Sequence, residues 1–297
     1  MKKWMSLITL AALIVTGQAR ADYAEHPDAI KLADELAGEG LDRDRVLSLL
    51  ASANRQDKIL ELIARPAEKT LTWADYRKLF VQQDRVDQGL TFWREHNSTL
   101  NAVEQQHGVP KEMILAILGV ETRYGRHKGT WRVVDALTTL GFDYPPRAAF
   151  FRGQLKELFR LEQKAGIDIS EVTGSYAGAM GYPQFIPTSY IHYAIDQDGD
   201  QRIDLLGNPV DAIGSIANYF RVHGWQKDLP VAARARVKGD DWRKLVQPLG
   251  KPQTTLGAAR TAASSQAAAG GRATAPGAAM PSMGHAASAP AMPAAPA

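Results

Sequence analysis

Met113-Ile114-Leu115-Ala116-Ile117-Leu118-Gly119-Val120-Glu121-Thr122-Arg123-Tyr124-Gly125 is the stretch on which the reading of this chain turns. Its first eight residues are apolar on every side, which predicts a buried helix. Glu121 follows one turn after Ile117 and Leu118, on the face of Ile114. A carboxyl that emerges from apolar surroundings is penalised in its charged form, so its pKa is expected above the reference of about 4.3. A carboxyl that keeps its proton near neutral pH is what a general acid for glycosidic cleavage requires. Gly119 and Gly125 leave space for backbone or ligand to approach. The plainer alternative is that Glu121 pairs with Arg123 or another base and merely closes the helix, as buried carboxylates usually do. The helix pattern alone does not decide between them.

Outward from this stretch the chain reads as helix in both directions. Apolar residues recur at spacings of three and four over Asp28–Leu36, Arg43–Leu50 and Lys58–Ile63. Thr72 is an N-cap for a helix through Leu79. A long helix is expected from Val86 to Gln106, with Val86, Leu90, Trp93, Leu100 and Val103 near one face. Gly108 ends it, and Pro110 opens the next as a first-turn residue. Further helices are expected at Arg132–Leu140, Arg147–Ala165, Thr188–Ala194 and Val210–Val222. No run of alternating residues marks a strand, so the fold class is mainly α.

The ends differ from the middle. Lys2 and Lys3, an apolar stretch from Leu7 to Val15 and Ala19-Arg20-Ala21 form a secretory signal peptide over residues 1–21. The apolar run falls short of the roughly 20 residues that span a bilayer. A globular domain is expected over 22–248. Residues 249–297 are rich in Ala, Pro, Gly, Ser and Thr with few large apolar residues, and are expected to be disordered. The chain has 297 residues, 45% hydrophobic and 23% charged, enough for a sizeable core. Its net charge of +3 is too mild to argue for nucleic acid, and is compatible with an anionic wall polymer. With no cysteine the chain forms no disulfide and offers no lipid-attachment thiol, so the mature protein is expected to be periplasmic and without a membrane anchor.

One loop carries a cation-binding pattern. Asp196-Gln197-Asp198-Gly199-Asp200-Gln201-Arg202-Ile203-Asp204 puts carboxylates at loop positions one, three, five and nine and an apolar residue at eight, as in an EF-hand. The carbonyl of Arg202, at position seven, would complete the set. The usual Gly at six is replaced by Gln201, and position twelve is Gly207. The alternative is an Asp-rich turn without an ion, in which Asp196, Asp198 and Asp200 repel each other.

Four blocks then resemble one family. They are Gly119-Val120-Glu121-Thr122-Arg123-Tyr124-Gly125, Trp131 to Leu137 with Tyr144-Pro145-Pro146-Arg147-Ala148, Gly174 to Tyr190, and Pro209 to Phe220. Their order and spacing resemble the lytic murein transglycosylase B family, over roughly residues 28 to 245. The resemblance implies a lysozyme-like α domain with an inserted helical domain and a calcium loop. It implies non-hydrolytic cleavage of the β-1,4 bond between N-acetylmuramic acid and N-acetylglucosamine, leaving a 1,6-anhydro end. Glu121 matches the family's lone acid/base. Tyr76, Arg147, Ser175, Gln184 and Tyr219 fall where that family lines its glycan groove, and Asp211 where it closes an enlarged loop. This chain has one residue more there, around Gly207-Asn208.

No cofactor is expected for catalysis, and calcium is expected in a structural role. The partners implied are peptidoglycan glycan strands, with cell-wall synthases as candidates. Asp135 is the nearest rival for a second carboxylate, and reads instead as one satisfied inside its helix. Each of Tyr76, Tyr176 and Tyr219 has core packing as its commoner role, and Arg147 has a surface helix start. The family's terminal Tyr- and Asn-containing segment has no match after Trp242-Arg243-Lys244-Leu245. That leaves two other readings open, a muramidase that uses water and a glycan-binding protein without catalysis.

Overall fold

The computed structural model describes residues 23–64 and 72–231. The expected signal peptide and tail lie outside the described residues. Eleven α-helices occur among the described residues. The first group is α1 (Pro27–Gly38), α2 (Arg43–Ser52), α3 (Asp57–Ala64) and α4 (Trp73–Phe80). The second is α5 (Gln83–Glu95), α6 (Asn97–His107) and α7 (Lys111–Thr122). The third is α8 (Val133–Asp143), α9 (Ala148–Ala165), α10 (Pro187–Tyr193) and α11 (Pro209–Val222). Their starts follow local chemistry. The Asp42 carboxylate accepts the amides of Asp44 and Arg45 at 2.9 and 3.2 Å, and Thr72 caps α4 as its position predicts. Gly108 ends α6 in the left-handed region at φ 67°.

Three expectations need correction. The single helix expected from Val86 to Gln106 is two helices, broken at His96 (φ −112°, ψ 21°). The break shifts the phase of the apolar face. Leu100 and Val103 are fully buried, while Val86 and Leu90 are exposed, and Arg85, Gly89 and Phe92 face inward in α5 instead. Pro110 stands one position before α7 rather than inside it. There is also a short antiparallel ladder, β1 (Trp131–Arg132) against β2 (Thr173–Gly174), with Trp131 opposite Gly174. Two residues per strand are too few for alternation to show in sequence.

The helices enclose two apolar cores. The larger gathers α1, α2 and α3 with α8, α9 and α10, around Leu36, Leu50, Ile59, Leu137, Phe151 and Tyr190. The Arg45–Glu162 and Arg160–Glu39 ion pairs, at 2.7 and 2.6 Å, tie α2 and α1 to α9. The smaller core packs Phe92, Leu100, Val103, Ile114 and Leu118 of α5, α6 and α7. Helix α11 serves both. Its residues from Asp211 to Tyr219 are all buried. Ala212 and Tyr219 lie in the larger core, and Ile213, Ile216 and Ala217 in the smaller.

Candidate active site

Helix α7 is not buried on every side. Ile114 and Leu118 are fully enclosed, but Ala116 and Val120 are exposed, Val120 by 39%. One face of the helix is therefore open to solvent, and Glu121, half-buried in the last turn, stands beside it. The turn that follows is held unusually firmly. Arg123 and Tyr124 both take left-handed backbone angles, φ 49° and 60°, which cost a residue with a Cβ about 1–2 kcal/mol each. Arg123 is paired with Asp84 and donates to Gln88. The Tyr124 ring lies where a Cβ would stand on Gly89 or Gly119, whose ideal Cβ positions are 2.3 and 2.6 Å from its hydroxyl oxygen. The room left by Gly119 and Gly125 is thus filled from within the chain, by Tyr124 and by the Tyr182 ring.

The loop from Gly174 to Gln184 is fastened to this turn. The Thr122 hydroxyl donates to the Tyr182 carbonyl at 2.9 Å and accepts the Gly125 amide at 3.0 Å. Gln184, itself left-handed at φ 51°, donates from Nε2 to the carbonyls of Lys128 and Gly181 at 3.1 and 3.0 Å. Lys128 lies over the Tyr182 ring at 4.6 Å and donates to the Leu206 carbonyl. Ser175 turns its hydroxyl into its own loop, accepting the amides of Ala177 and Ala179 at 3.3 and 3.0 Å. Tyr219 is 8% exposed, stacks on His223 at 4.0 Å and meets Phe185 at 5.8 Å. Burial pushes its phenol up to about 12. Tyr176 lies in the larger core.

Two predicted residues pack against aromatic rings. Arg147 places its guanidinium over Phe150 and Phe151, at 4.4 and 5.1 Å. Tyr76 sits on α4, a helix with no buried residue, between Trp73 and Phe80 at 6.3 and 5.0 Å. Asp135 is enclosed and fully engaged, accepting from the Asn54 amide, Gln56 and Arg132 at 3.1, 3.3 and 2.9 Å. Its carboxylate is thus satisfied within the fold. A surface cavity of about 360 Å³ between Leu90, Trp93, Arg94 and Asn97 includes none of the predicted residues.

The aspartate loop joins α10 to α11. Carboxylate oxygens of Asp196, Asp198 and Asp211 lie within 4.8 Å of one another. Asp211 is fully buried and holds the amides of Gln197 and Asp204, both at 2.8 Å. Burial, with Asp198 and Asp196 adding repulsion, pushes its pKa above the usual carboxylate range. Only Asp211 of the three is buried, with Asp196 intermediate and Asp198 exposed; oxygen donors converging in this way suit a hard divalent cation, so the donor set fits one. Asp200 instead caps the Arg202 amide at 2.8 Å. Gln201 adopts φ 70° and donates its amide to Asp196 at 2.8 Å, so the turn usually made by glycine is kept. Asn208 has two uses. It caps α11 by accepting the Val210 amide and donates to Asp198, both at 2.9 Å.

Sequence reasoning missed Arg85 altogether. It is 7% exposed and donates to the Gly119 carbonyl at 3.0 Å. Its only trace in the sequence is the phase of α5, which the break at His96 concealed.

A family model described as transglycosylase SLT domain matches residues 24–294. The chain belongs to the SLT transglycosylase family. This transglycosylase-family chain is 42% identical over 228 residues to membrane-bound lytic murein transglycosylase B of Escherichia coli (strain K12). The alignment covers 73% of the chain and 63% of that protein, so the chain spans about 63% of the length of this curated relative. Its fold is similar to catenated lytic transglycosylase SltB1 from Pseudomonas aeruginosa, with a TM-score of 0.77 and 42% identity over 82% of this chain and 80% of that one. It is similar also to the Escherichia coli lytic transglycosylase Slt35 in complex with calcium, with a TM-score of 0.65 and 44% identity over 70% and 66% of the two chains. The lysozyme-like, mainly α architecture is that of these lytic transglycosylases.

Proposed function

We propose that the protein is a peptidoglycan lytic transglycosylase with Glu121 as its single general acid/base. The observation that carries this is the placement of Glu121, half-buried beside the exposed Ala116–Val120 face, on a turn bolted to the Gly174–Gln184 loop. In the reaction, Glu121 gives its proton to the glycosidic oxygen as the bond to N-acetylmuramic acid breaks. The substrate's N-acetyl group stabilises the oxocarbenium-like carbon. The glutamate, now a carboxylate, takes the proton of the same sugar's 6-hydroxyl as that oxygen closes the 1,6-anhydro ring. The proton count balances and no water is consumed. Intramolecular attack supplies a high effective molarity. A single carboxyl suffices, in keeping with the engagement of Asp135.

Tyr76, Arg147, Ser175, Gln184 and Tyr219 are assigned to the glycan groove, Ser175 and Gln184 by shaping its wall. Asp196, Asp198, Asp211, Asp200 and the Arg202 carbonyl are assigned to a structural calcium ion, which the calcium complex of a relative supports. The signal peptide expected over residues 1–21 supports a periplasmic location, with peptidoglycan as substrate and cell-wall synthases as candidate partners. Among the described residues no helix is long and apolar enough to cross a membrane.

Mass spectrometry of digested sacculi tests the reaction. Anhydro-ended muropeptides from the wild type and about 10³-fold fewer from Glu121→Gln are expected. Reducing ends would make the protein a muramidase, and equal, negligible release by both proteins would leave only a binding role.

A further inference from the structure

A buried guanidinium is normally matched by a carboxylate. Arg85, in the first turn of α5, is not. The adjacent carboxylate, Asp84, is paired with Arg123, and its other oxygen accepts only the backbone amide of Arg85, at 2.8 Å. Among the described residues Arg85 has no ion pair, and its Nε has no hydrogen-bond partner. Burial first, and then the charge of Arg123, push its pKa below the ordinary value, against a smaller opposing effect of Asp84. The charge is therefore held at a cost, and two contacts define what it holds.

The first is the Gly119 carbonyl, at 3.0 Å from a terminal guanidinium nitrogen. Helix α7 ends at Thr122, so Gly119 is one of the last carbonyls left without an intrahelical donor. A cation is favoured at that end of the dipole. The second is the Phe80 ring, whose centroid lies 5.2 Å from the guanidinium carbon. Phe80 in turn meets Tyr76 at 5.0 Å. Arg85 thus bridges the helix that carries Tyr76 and the backbone two residues ahead of Glu121.

We propose that Arg85 is a positioning residue that couples α4 to the Glu121 turn, so that glycan contact over Tyr76 and the placement of the catalytic carboxyl are set together. The inference rests on the role proposed for Glu121.

The test compares wild type, Arg85→Met, Arg85→Lys, Phe80→Leu and Glu121→Gln by steady-state kinetics on purified glycan strands, melting and amide hydrogen exchange. Arg85→Met removes a buried charge that has no ion pair among the described residues, so its melting temperature should stay close to that of wild type. Its kcat should nevertheless fall about tenfold or more, with KM raised. Arg85→Lys keeps a donor for Gly119 but loses the planar face over Phe80. Its kcat should largely recover while KM stays high. Phe80→Leu should raise KM more than it lowers kcat. In Arg85→Met, faster exchange should be confined to residues 73–80 and 119–125.

Wild-type kcat and KM in Arg85→Met would overturn the proposal. So would a loss of activity that merely tracks a smaller folded fraction and is equal in Arg85→Lys. If the wild type itself releases no product, the Glu121 reading fails and exchange decides the coupling, unchanged protection in both segments sinking it.

Discussion

Glu121 sits where a helix ends beside an open face, and its neighbours rather than its own sequence position make it distinctive. Replacing it by Gln keeps size and hydrogen-bonding capacity but removes the transferable proton. Release of anhydro-muropeptides should fall by about 10³-fold, within the range that general acid/base groups supply, while melting remains cooperative. The glycine two residues earlier makes a second prediction at this scale. A methyl on Gly119 would stand 2.6 Å from the Tyr124 hydroxyl oxygen and 2.9 Å from its Cζ. The ring is wedged against Gly89 and has little room to yield, so Gly119→Ala should cost about 1–3 kcal/mol by overpacking. Denaturant unfolding measures this. Adding Tyr124→Phe should recover only part of the loss, because Cζ remains in the way. An acid after an unbroken apolar run singled out Glu121 in the sequence as a candidate, and the structure puts it in the last turn of α7. Arg85 was not legible there, because its burial depends on a contact with Gly119 that spans 34 positions of the chain.

At the scale of elements, helix existence was largely legible and helix phase was not. Periodicity and caps place α1, α2, α3 and α8–α11 near their observed bounds, although α8 and α11 are buried on all sides over Val133–Gly141 and Asp211–Tyr219. The α5–α6 pair defeats the same logic, for no proline or glycine marks the break at His96, and Val86 and Leu90 keep a helical spacing while facing solvent. Helix α6 also ends on a pH-sensitive residue. Both ring nitrogens of His107 are buried without a hydrogen-bond partner among the described residues. Burial first, then Arg221, hold its pKa below the ordinary value. The sign follows from linkage. The unfolded chain binds the proton first, so the stability present above about pH 6.5 is lost as pH falls toward the folded pKa. His107→Leu should therefore show a shallower fall in melting temperature between about pH 7.5 and 5.5 than wild type. The His96 pKa is likewise lowered by burial and leaves a residual slope. Identical slopes in the two proteins would remove His107 as the cause.

Across the whole molecule, α11 is the element on which both cores close. One face packs Ala212 and Tyr219 into the larger core, the other Ile213, Ile216 and Ala217 into the smaller. Its first turn carries Asp211, fully buried and within 4.8 Å of Asp196 and Asp198. A cation at these carboxylates would therefore act on the helix that joins the two cores, and its stabilising effect should not stay local to the loop. Ligand linkage gives about 2.7 kcal/mol at a free-ion concentration one hundred times Kd. In a domain of this size that amounts to a rise in melting temperature of about 5–10 °C. Calcium should raise Tm in a single transition followed equally by tryptophan fluorescence and by far-UV dichroism, and chelator should reverse it. Asp211→Asn removes one ligand charge, and its single amide oxygen can accept only one of the Gln197 and Asp204 amides that the two carboxylate oxygens hold. It should abolish the calcium response and, by leaving a buried donor unsatisfied, lower the melting temperature of the calcium-free protein as well. A calcium response that survives in Asp211→Asn, or melting curves indifferent to the ion in wild type, would detach the loop from α11 and from the stability of the two cores.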